Sequence, residues 1–478
     1  MSRITTLTLS YLSALLISSV CGTQYLFSAY STEIQDRLDF TSVQINTIGS
    51  LANYGITLSK PFLGYVADNY GSRRTCAAAA ILIFTSYFLL AMTYQKIFLP
   101  ASFMLCALYL FGVGMASSAG IVSSMVTITK NITSLRGFAL SVPLALLGLS
   151  AFIYSQINMH LFQDDTFHFL IFVAVSSGTC LFIGSWFLVI VPPPLLTTAS
   201  LFEGENYINK SINEEDKNCN DNISNSSGHD YSIAHGGSNG RSTEQTPLLQ
   251  IQEITKEEPD IGGWELLNNK DALLLILIMV FIGGTGLMYF NNVGTIIRTL
   301  YYASSTHPTF PSEIRRLQNI HVSLLSLFSC LGRISGGLFS DLAKYFYDVP
   351  RFGFLALAGI WLFAGQILMC TQVQTLENLW TVTCFVGFGF GMQYGVAPAI
   401  TSEYFGSRRF GLNWGILSLF PAIGGQIFNL MFGYNNDLHG KHCVGAECYN
   451  SVFYISSVGC LVSVCVALHI CWNILRMK

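Results

Sequence analysis

Apolar stretches long enough to cross a membrane recur along the whole of the 478 residues. Twelve runs stand out, over 8–31, 43–66, 75–94, 100–124, 137–159, 168–191, 272–297, 317–339, 351–371, 379–400, 411–434 and 451–473. A hydrocarbon core of about 30 Å needs about 20 helical residues. The pattern therefore predicts twelve transmembrane helices. Many of the runs are interrupted by Gly, Ser and Thr, which suit helices packed on helices rather than on lipid. The first run begins near Arg3, stays semi-polar and shows no small-residue cleavage site after a short apolar core. It is expected to be a span and not a cleaved leader.

One interval breaks the pattern. Residues 193–271 follow directly on Pro192 and run through Pro, Asn, Ser, Gly and acids, the composition of a disordered linker. The interval holds fourteen acids and five bases, net −9, which leaves +6 elsewhere in a chain of net charge −3. Six runs precede it and six follow. The expected organisation is an N-terminal six-helix half over 1–192, an acidic cytosolic linker over 193–271, and a C-terminal six-helix half over 272–478.

The halves echo each other. Gly64 and Asp68 align with Gly337 and Asp341 at an offset of 273. Phe111-Gly-Val-Gly-Met115 aligns with Phe388-Gly-Phe-Gly-Met392 at 277, and Pro143 with Pro421 at 278. Gly22-Thr23 and Gly284-Thr285 hold comparable places in spans 1 and 7. The fold class expected is an all-α membrane protein of two pseudo-symmetric halves, with a site between them near the midplane. Orientation follows from Lys and Arg in the short connections. With both termini and the linker in the cytosol, eleven basic residues fall on that side and six on the other. The sequons at Asn131, Asn209, Asn222 and Asn225 then face the cytosol and are expected to carry no glycan.

Composition narrows the function classes. Hydrophobic residues make up 51% and charged residues 11%, with mean hydropathy +0.49. A soluble domain carries about 25% charged residues, so a water-soluble globule is excluded. The chain has no phosphate loop, metal-ligand spacing or nucleophile arrangement, so neither an enzyme nor a cofactor is expected. A charge of −3 does not suggest nucleic acid. The partners expected are a small solute and membrane lipids. Most of the thirteen cysteines are scattered singly through spans. Cys443 and Cys448 share a short loop before the last span, as a disulfide in an oxidising compartment or as two incidental thiols.

The densest polar feature is Gly64-Tyr-Val-Ala-Asp68-Asn-Tyr-Gly71-Ser-Arg73-Arg74, between spans 2 and 3. Gly64 permits close helix approach. Asp68 can accept hydrogen bonds from a neighbouring helix N-terminus or from an arginine. Gly64, Asp68, Gly71, Arg73 and Arg74 are read as a conformational latch, with Gly337 and Asp341 as a second copy whose basic tail survives loosely in Lys344 and Arg351. Ser72 stands where a base is common, and the fourth run, 100–124, has no arginine, so an asymmetric latch is expected. Arg333 lies inside a span, where a charge is costly and usually functional. It either contacts substrate or pairs with Asp341. Lys60 is expected to snorkel to the cytosolic surface or join the latch.

Polar residues within spans supply candidate cavity groups: Gln24, Tyr25 and Tyr30 in span 1, Tyr289, Asn291 and Asn292 in span 7, and Gln156, Gln393, Tyr394, Gln426 and Asn429 in spans 5, 10 and 11. No Asp or Glu falls in the middle of a run, and His321 is the nearest titratable alternative. In the linker, Glu244-Gln-Thr-Pro-Leu248-Leu249 has the form of an acidic dileucine sorting signal, read by an adaptor complex.

The Gly64–Arg74 stretch resembles the signature of the major facilitator superfamily. Gly22-Thr-Gln-Tyr-Leu-Phe-Ser-Ala-Tyr30, Gln44-Ile-Asn-Thr-Ile-Gly49 and Thr246-Pro-Leu-Leu249 extend the resemblance to fungal monocarboxylate-transporter-homologue permeases of the vacuolar membrane. The resemblance implies a secondary transporter of a small solute, working by alternating access. In monocarboxylate transporters an arginine of the eighth span contacts the anion, with a glycine four residues later and a polar residue eight later. Arg333, Gly337 and Asp341 fill those places. Ser329 stands where that family carries an acid, and its acidic-glycine-tryptophan first-span signature is absent. Three alternatives stand beside this reading: a neutral or zwitterionic cargo, the plasma membrane as location, and a non-transporting sensor.

Overall fold

The computed structural model describes residues 2–97, 102–162, 165–192, 260–304, 311–373, 375–438 and 445–477. Among these residues twelve long helices follow one another. They are α1 (Arg3–Ser18, continued by a 3-10 segment Thr23–Ala29), α2 (Ser42–Tyr70), α3 (Ser72–Tyr94), α4 (Phe103–Asn131), α5 (Arg136–Ile157) and α6 (Thr166–Phe187). The second six are α7 (Lys270–Ser304), α8 (Pro311–Tyr347), α9 (Phe352–Thr371), α10 (Leu376–Phe405), α11 (broken into Phe410–Leu417 and Phe420–Leu438) and α12 (Asn450–Met477). Ten of these segments are long and apolar enough to cross a membrane. The other two, α2 and α10, are 29 and 30 residues long. Their polar residues lower the mean hydropathy, among them Gln44, Asn53, Lys60 and Asp68 in α2 and Gln393, Ser402 and Glu403 in α10.

Local sequence sets the helix ends. Thr41 and Gln44 form a reciprocal capping box at the start of α2. Gly71, at φ +95°, makes the abrupt turn from α2 into α3. The helices of both halves belong to one compact unit, residues 1–191 with 258–478.

Small residues bring the inner helices together, and the two halves do so identically. A Cβ on Gly55 of α2 would overlap the Phe111 carbonyl of α4, and one on Gly114 would overlap the carbonyl of Ala52. In the other half Gly332 meets the Phe388 carbonyl and Gly391 that of Ser329, each pair 277 residues later. The offset noticed in the sequence is thus a repeated packing contact. Gly22, at the break in α1, lies against the Leu147 carbonyl of α5, and Gly284 of α7 lies against Gly424 of α11.

Three expectations change. Helix α4 runs on to Asn131 rather than ending at 124, which carries Lys130 on the helix. Helix α8 extends through Tyr347. Residues 260–271, assigned by composition to the linker, carry structure: a helix spans Trp264–Asn268. The Ile261 amide donates to the Phe405 carbonyl at 3.2 Å, and Asn413 Nδ2 donates to the Ile261 carbonyl at 2.7 Å. Glu244, Leu248, Leu249 and Cys443 lie outside the described residues. Cys448 is disulfide-bonded.

Candidate functional site

Asp68 reaches across to the other half. Its Oδ2 accepts the backbone N–H of Leu412 at 2.9 Å, in the first turn of α11, and Lys130 Nζ stands 3.6 Å from its Oδ1. Free N–H groups and the helix dipole make that turn a natural seat for a carboxylate. Gly64 permits the approach, since a Cβ there would overlap the Gly411 carbonyl. Gly415, one turn on, lies against the Lys60 backbone. The cation at this acid is therefore Lys130, from the extended end of α4, and not Arg73 or Arg74. Both of those arginines are exposed, and the Arg73 guanidinium stacks over Trp186, 5.5 Å from its centroid. Gly71 serves the turn, its Cβ position being open.

Asp341 does the same for α5, more completely. Its two oxygens accept the amides of Gly137 at 3.0 Å and Phe138 at 2.7 Å. A Cβ on Gly337 would lie 2.6 Å from the Gly137 carbonyl. Arg351 pairs with Asp341 at 2.5 Å, donates to Ser340 Oγ at 3.0 Å and to Glu403 Oε2 at 2.8 Å, and Glu403 in turn pairs with Lys344. The Arg351 and Asp341 side chains are 7% and 2% exposed, so this network is buried. The loose basic tail of the sequence makes the fuller hydrogen-bonded network. The two acids are held unequally, Asp341 by two amides and an arginine and Asp68 by one amide and a lysine.

Arg333 does not pair with Asp341. Its Nη1 donates to the Leu144 carbonyl of α5 at 2.5 Å, in a space that Gly148 leaves open. The guanidinium lies 5.8 Å from the Tyr394 ring centroid and within electrostatic reach of Tyr25. Its Nε is buried without a hydrogen-bond partner. Among the described residues no carboxylate stands within ion-pair distance of it. The polar atoms of Gln24 and Gln393 are likewise buried and unpartnered. A cleft of about 760 Å³ opens between α5 and α8, lined by Leu149, Phe152, Arg316, Ser326 and their neighbours, at the end of α8 away from Asp341.

Several other candidates turn out to hold helices together. Tyr289 is fully buried, and its hydroxyl meets Thr383 Oγ1 at 2.7 Å. His321 Nδ1 meets the same oxygen at 2.7 Å. Thr383 gives its own proton to the Leu379 carbonyl, so Tyr289 and His321 both donate to it, tying α7, α8 and α10. Asn292 Nδ2 bonds Asn429 Oδ1 at 2.7 Å, joining α7 to α11. Asn291 and Gln426 are exposed, Gln156 is half-buried, and Tyr30 is buried with its ring edge-on to Phe27. No local pattern marks the Thr383 bridge. The hint of Lys130 was that Val126 and Ile128 carry the apolar pattern of α4 past 124 toward it.

A family model described as Major Facilitator Superfamily matches residues 12–427. Probable transporter mch1 of Neurospora crassa is 26% identical, the match covering 93% of this chain and 86% of that protein. Probable transporter MCH1 of Candida albicans is 24% identical over 97% and 92%. The solved structure of the proton:xylose symporter XylE, bound to 6-bromo-6-deoxy-D-glucose, superposes with TM-score 0.58 at 12% identity, covering 97% of this chain and 95% of its own. FucP in its outward conformation gives TM-score 0.58 at 13%, covering 95% and 99%. With twelve helices in two halves, cross-capped by Asp68 and Asp341, the chain belongs to the major facilitator superfamily.

Proposed function

We propose that this protein is a secondary transporter that carries a small organic anion, in the first instance a monocarboxylate, across the vacuolar membrane by alternating access. Arg333 carries the reading: a guanidinium in the middle of a span, without an acid partner among the described residues, at the boundary of the two halves beside Tyr25 and Tyr394. Unneutralised charge at that depth is costly and is retained for a ligand. The Asp68 and Asp341 contacts clamp one face shut while the cleft between α5 and α8 stays open toward the other. Excess basic residues assign the clamped face to the cytosol. Transport then requires both acids to release the helix ends they cap.

Uptake into vesicles tests the cargo. Losing a charge-assisted hydrogen bond worth about 1.5–3 kcal/mol lowers anion uptake by Arg333→Ala roughly tenfold to a hundredfold. Unchanged uptake would leave the neutral or zwitterionic cargo. The vacuolar assignment rests on Glu244, Leu248 and Leu249 as an adaptor-read signal. A fluorescent fusion carrying Leu248→Ala and Leu249→Ala is expected at the plasma membrane, and vacuolar retention would remove the signal.

A further inference from the structure

The first turn of α11 is held twice. The N-terminal half holds it through Asp68, which accepts the Leu412 amide at 2.9 Å. The second hold comes from the segment that leads into α7. There the Ile261 carbonyl accepts Asn413 Nδ2 at 2.7 Å, and the Ile261 amide donates to the Phe405 carbonyl at 3.2 Å. Asp260 pairs with Arg408 at 3.2 Å and with Arg409 at 3.4 Å, and Glu265 stands 3.8 Å from Arg409. A Cβ on Gly262 would lie 2.5 Å from Arg409 Cδ and 3.3 Å from Asn413 Oδ1, and Leu266 is fully buried.

That turn depends on being held. Phe410–Leu417 is only eight residues long and is cut off from Phe420–Leu438 by Ser418 and Leu419. A helix so short is marginal by itself, so its contacts decide where its first amides point. The Asn413 amide donates to the Arg409 carbonyl at 3.0 Å, which closes the turn around Leu412. Both residues of that closure are tied to 260–265. The other partner of Asp68 is fastened in a parallel way. Asn131 follows Lys130 at the end of α4; its Nδ2 donates to the Val189 carbonyl at 2.8 Å and its Oδ1 accepts the Val191 amide at 2.9 Å. The chain that connects the halves therefore leaves α6 clipped beside Lys130 and enters α7 clipped beside Leu412. Asp68 is the acid with fewer partners of its own, so it is the one such clips can influence.

We propose that residues 189–191 and 260–265 act as a strap that fixes Lys130 and the Leu412 amide for Asp68, and so sets how often the clamped face opens. The strap rests on alternating access and not on the cargo. Ser402 is buried 3.4 Å from Arg136 of the other half, so Ser402→Cys reports opening. Purified full-length protein with that change is labelled by a bulky polyethylene-glycol maleimide, and protein without it measures labelling of the native cysteines. Asp68→Asn is expected to speed labelling at 402. Asp260→Ala combined with Glu265→Ala is expected to speed it about threefold, the scale of exposed ion pairs, and Asn131→Ala should act in the same direction. Added to Asp68→Asn, either change should have little further effect, because the contact it supports is already lost. Unchanged labelling in both strap variants, with Asp68→Asn responding, overturns the strap, and so does full additivity with Asp68→Asn. A rate that Asp68→Asn leaves unchanged overturns the clamp itself and the strap with it. Arg408→Ala, at a residue whose side chain is 82% exposed, repeats the measurement if the double variant does not elute as a single species.

Discussion

The Asp341 carboxylate holds the amide of Phe138 at 2.7 Å across the boundary between the two six-helix halves. Asp68 holds Leu412 at 2.9 Å in the same manner, but with one amide and a lysine 3.6 Å away instead of two amides and a buried arginine. Asp341→Asn therefore gives up more than Asp68→Asn, about 3 against about 1.5 kcal/mol of closed-state stability at the ordinary worth of charged hydrogen bonds. Transport assays on both variants, with folded yield measured in parallel, are expected to rank them in that order. The reverse ranking would contradict the geometry.

Gly64→Ala is expected to stop transport while leaving each half folded. The added methyl meets the Gly411 backbone, which cannot step aside as a side chain could. Gly71→Ala is strained for a different reason, its φ of +95°, and should lower thermal stability by about 1 kcal/mol or more. Melting temperature and uptake separate the two: the first variant changes uptake more, the second the melt.

Thr383→Val leaves the buried donors of Tyr289 and His321 without their shared acceptor. Each orphaned donor costs about 1–3 kcal/mol. Thermal unfolding should show a clear loss, and Tyr289→Phe in the Thr383→Val background should recover part of it. A double variant less stable than the single one would rule out the bridge.

Asp165 caps α6, its Oδ1 accepting the His168 amide at 3.2 Å while its Oδ2 stands 2.6 Å from His168 Nδ1. The backbone hydrogen bond, followed by the side-chain one, holds its carboxyl below the usual range. Its stabilisation is thus complete above the unfolded value of about 3.9 and is lost as the pH falls through the lower folded value. Asp165→Ala should cost about 1 kcal/mol at neutral pH, with the gap to wild type closing on acidification below about pH 4. A gap that widens there would be inconsistent with the cap.

Hydropathy sufficed for the helices because lipid imposes one rule on every span, so 8–31 through 451–473 fell close to the observed elements. Helix ends were less legible. Lys130 reads only as a loop base if the fourth run ends at 124, although Val126 and Ile128 carry the apolar pattern on to it. The Asp260 contacts with Arg408 at 3.2 Å and Arg409 at 3.4 Å join residues almost 150 positions apart, and no local pattern marks them. Gly64, Asp68, Gly337 and Asp341 were legible through their spacing. Their partners were not, because an amide proton has no letter in the sequence.

That last point has a consequence for how such a protein changes over time. Both acids grip main-chain donors, at Leu412, Gly137 and Phe138. Replacing the side chain at 412 or 138 by anything but proline leaves the gripped proton in place, so those sites are otherwise free to drift in chemistry as long as the helix starts there. Across the boundary between the halves the chemical selection falls on the carboxylates, with Lys130 and Arg351 beside them, while their main-chain partners answer only for room. Searches for compensating pairs of substitutions would find nothing linking 68 to 412 or 341 to 138, although these contacts join the two halves.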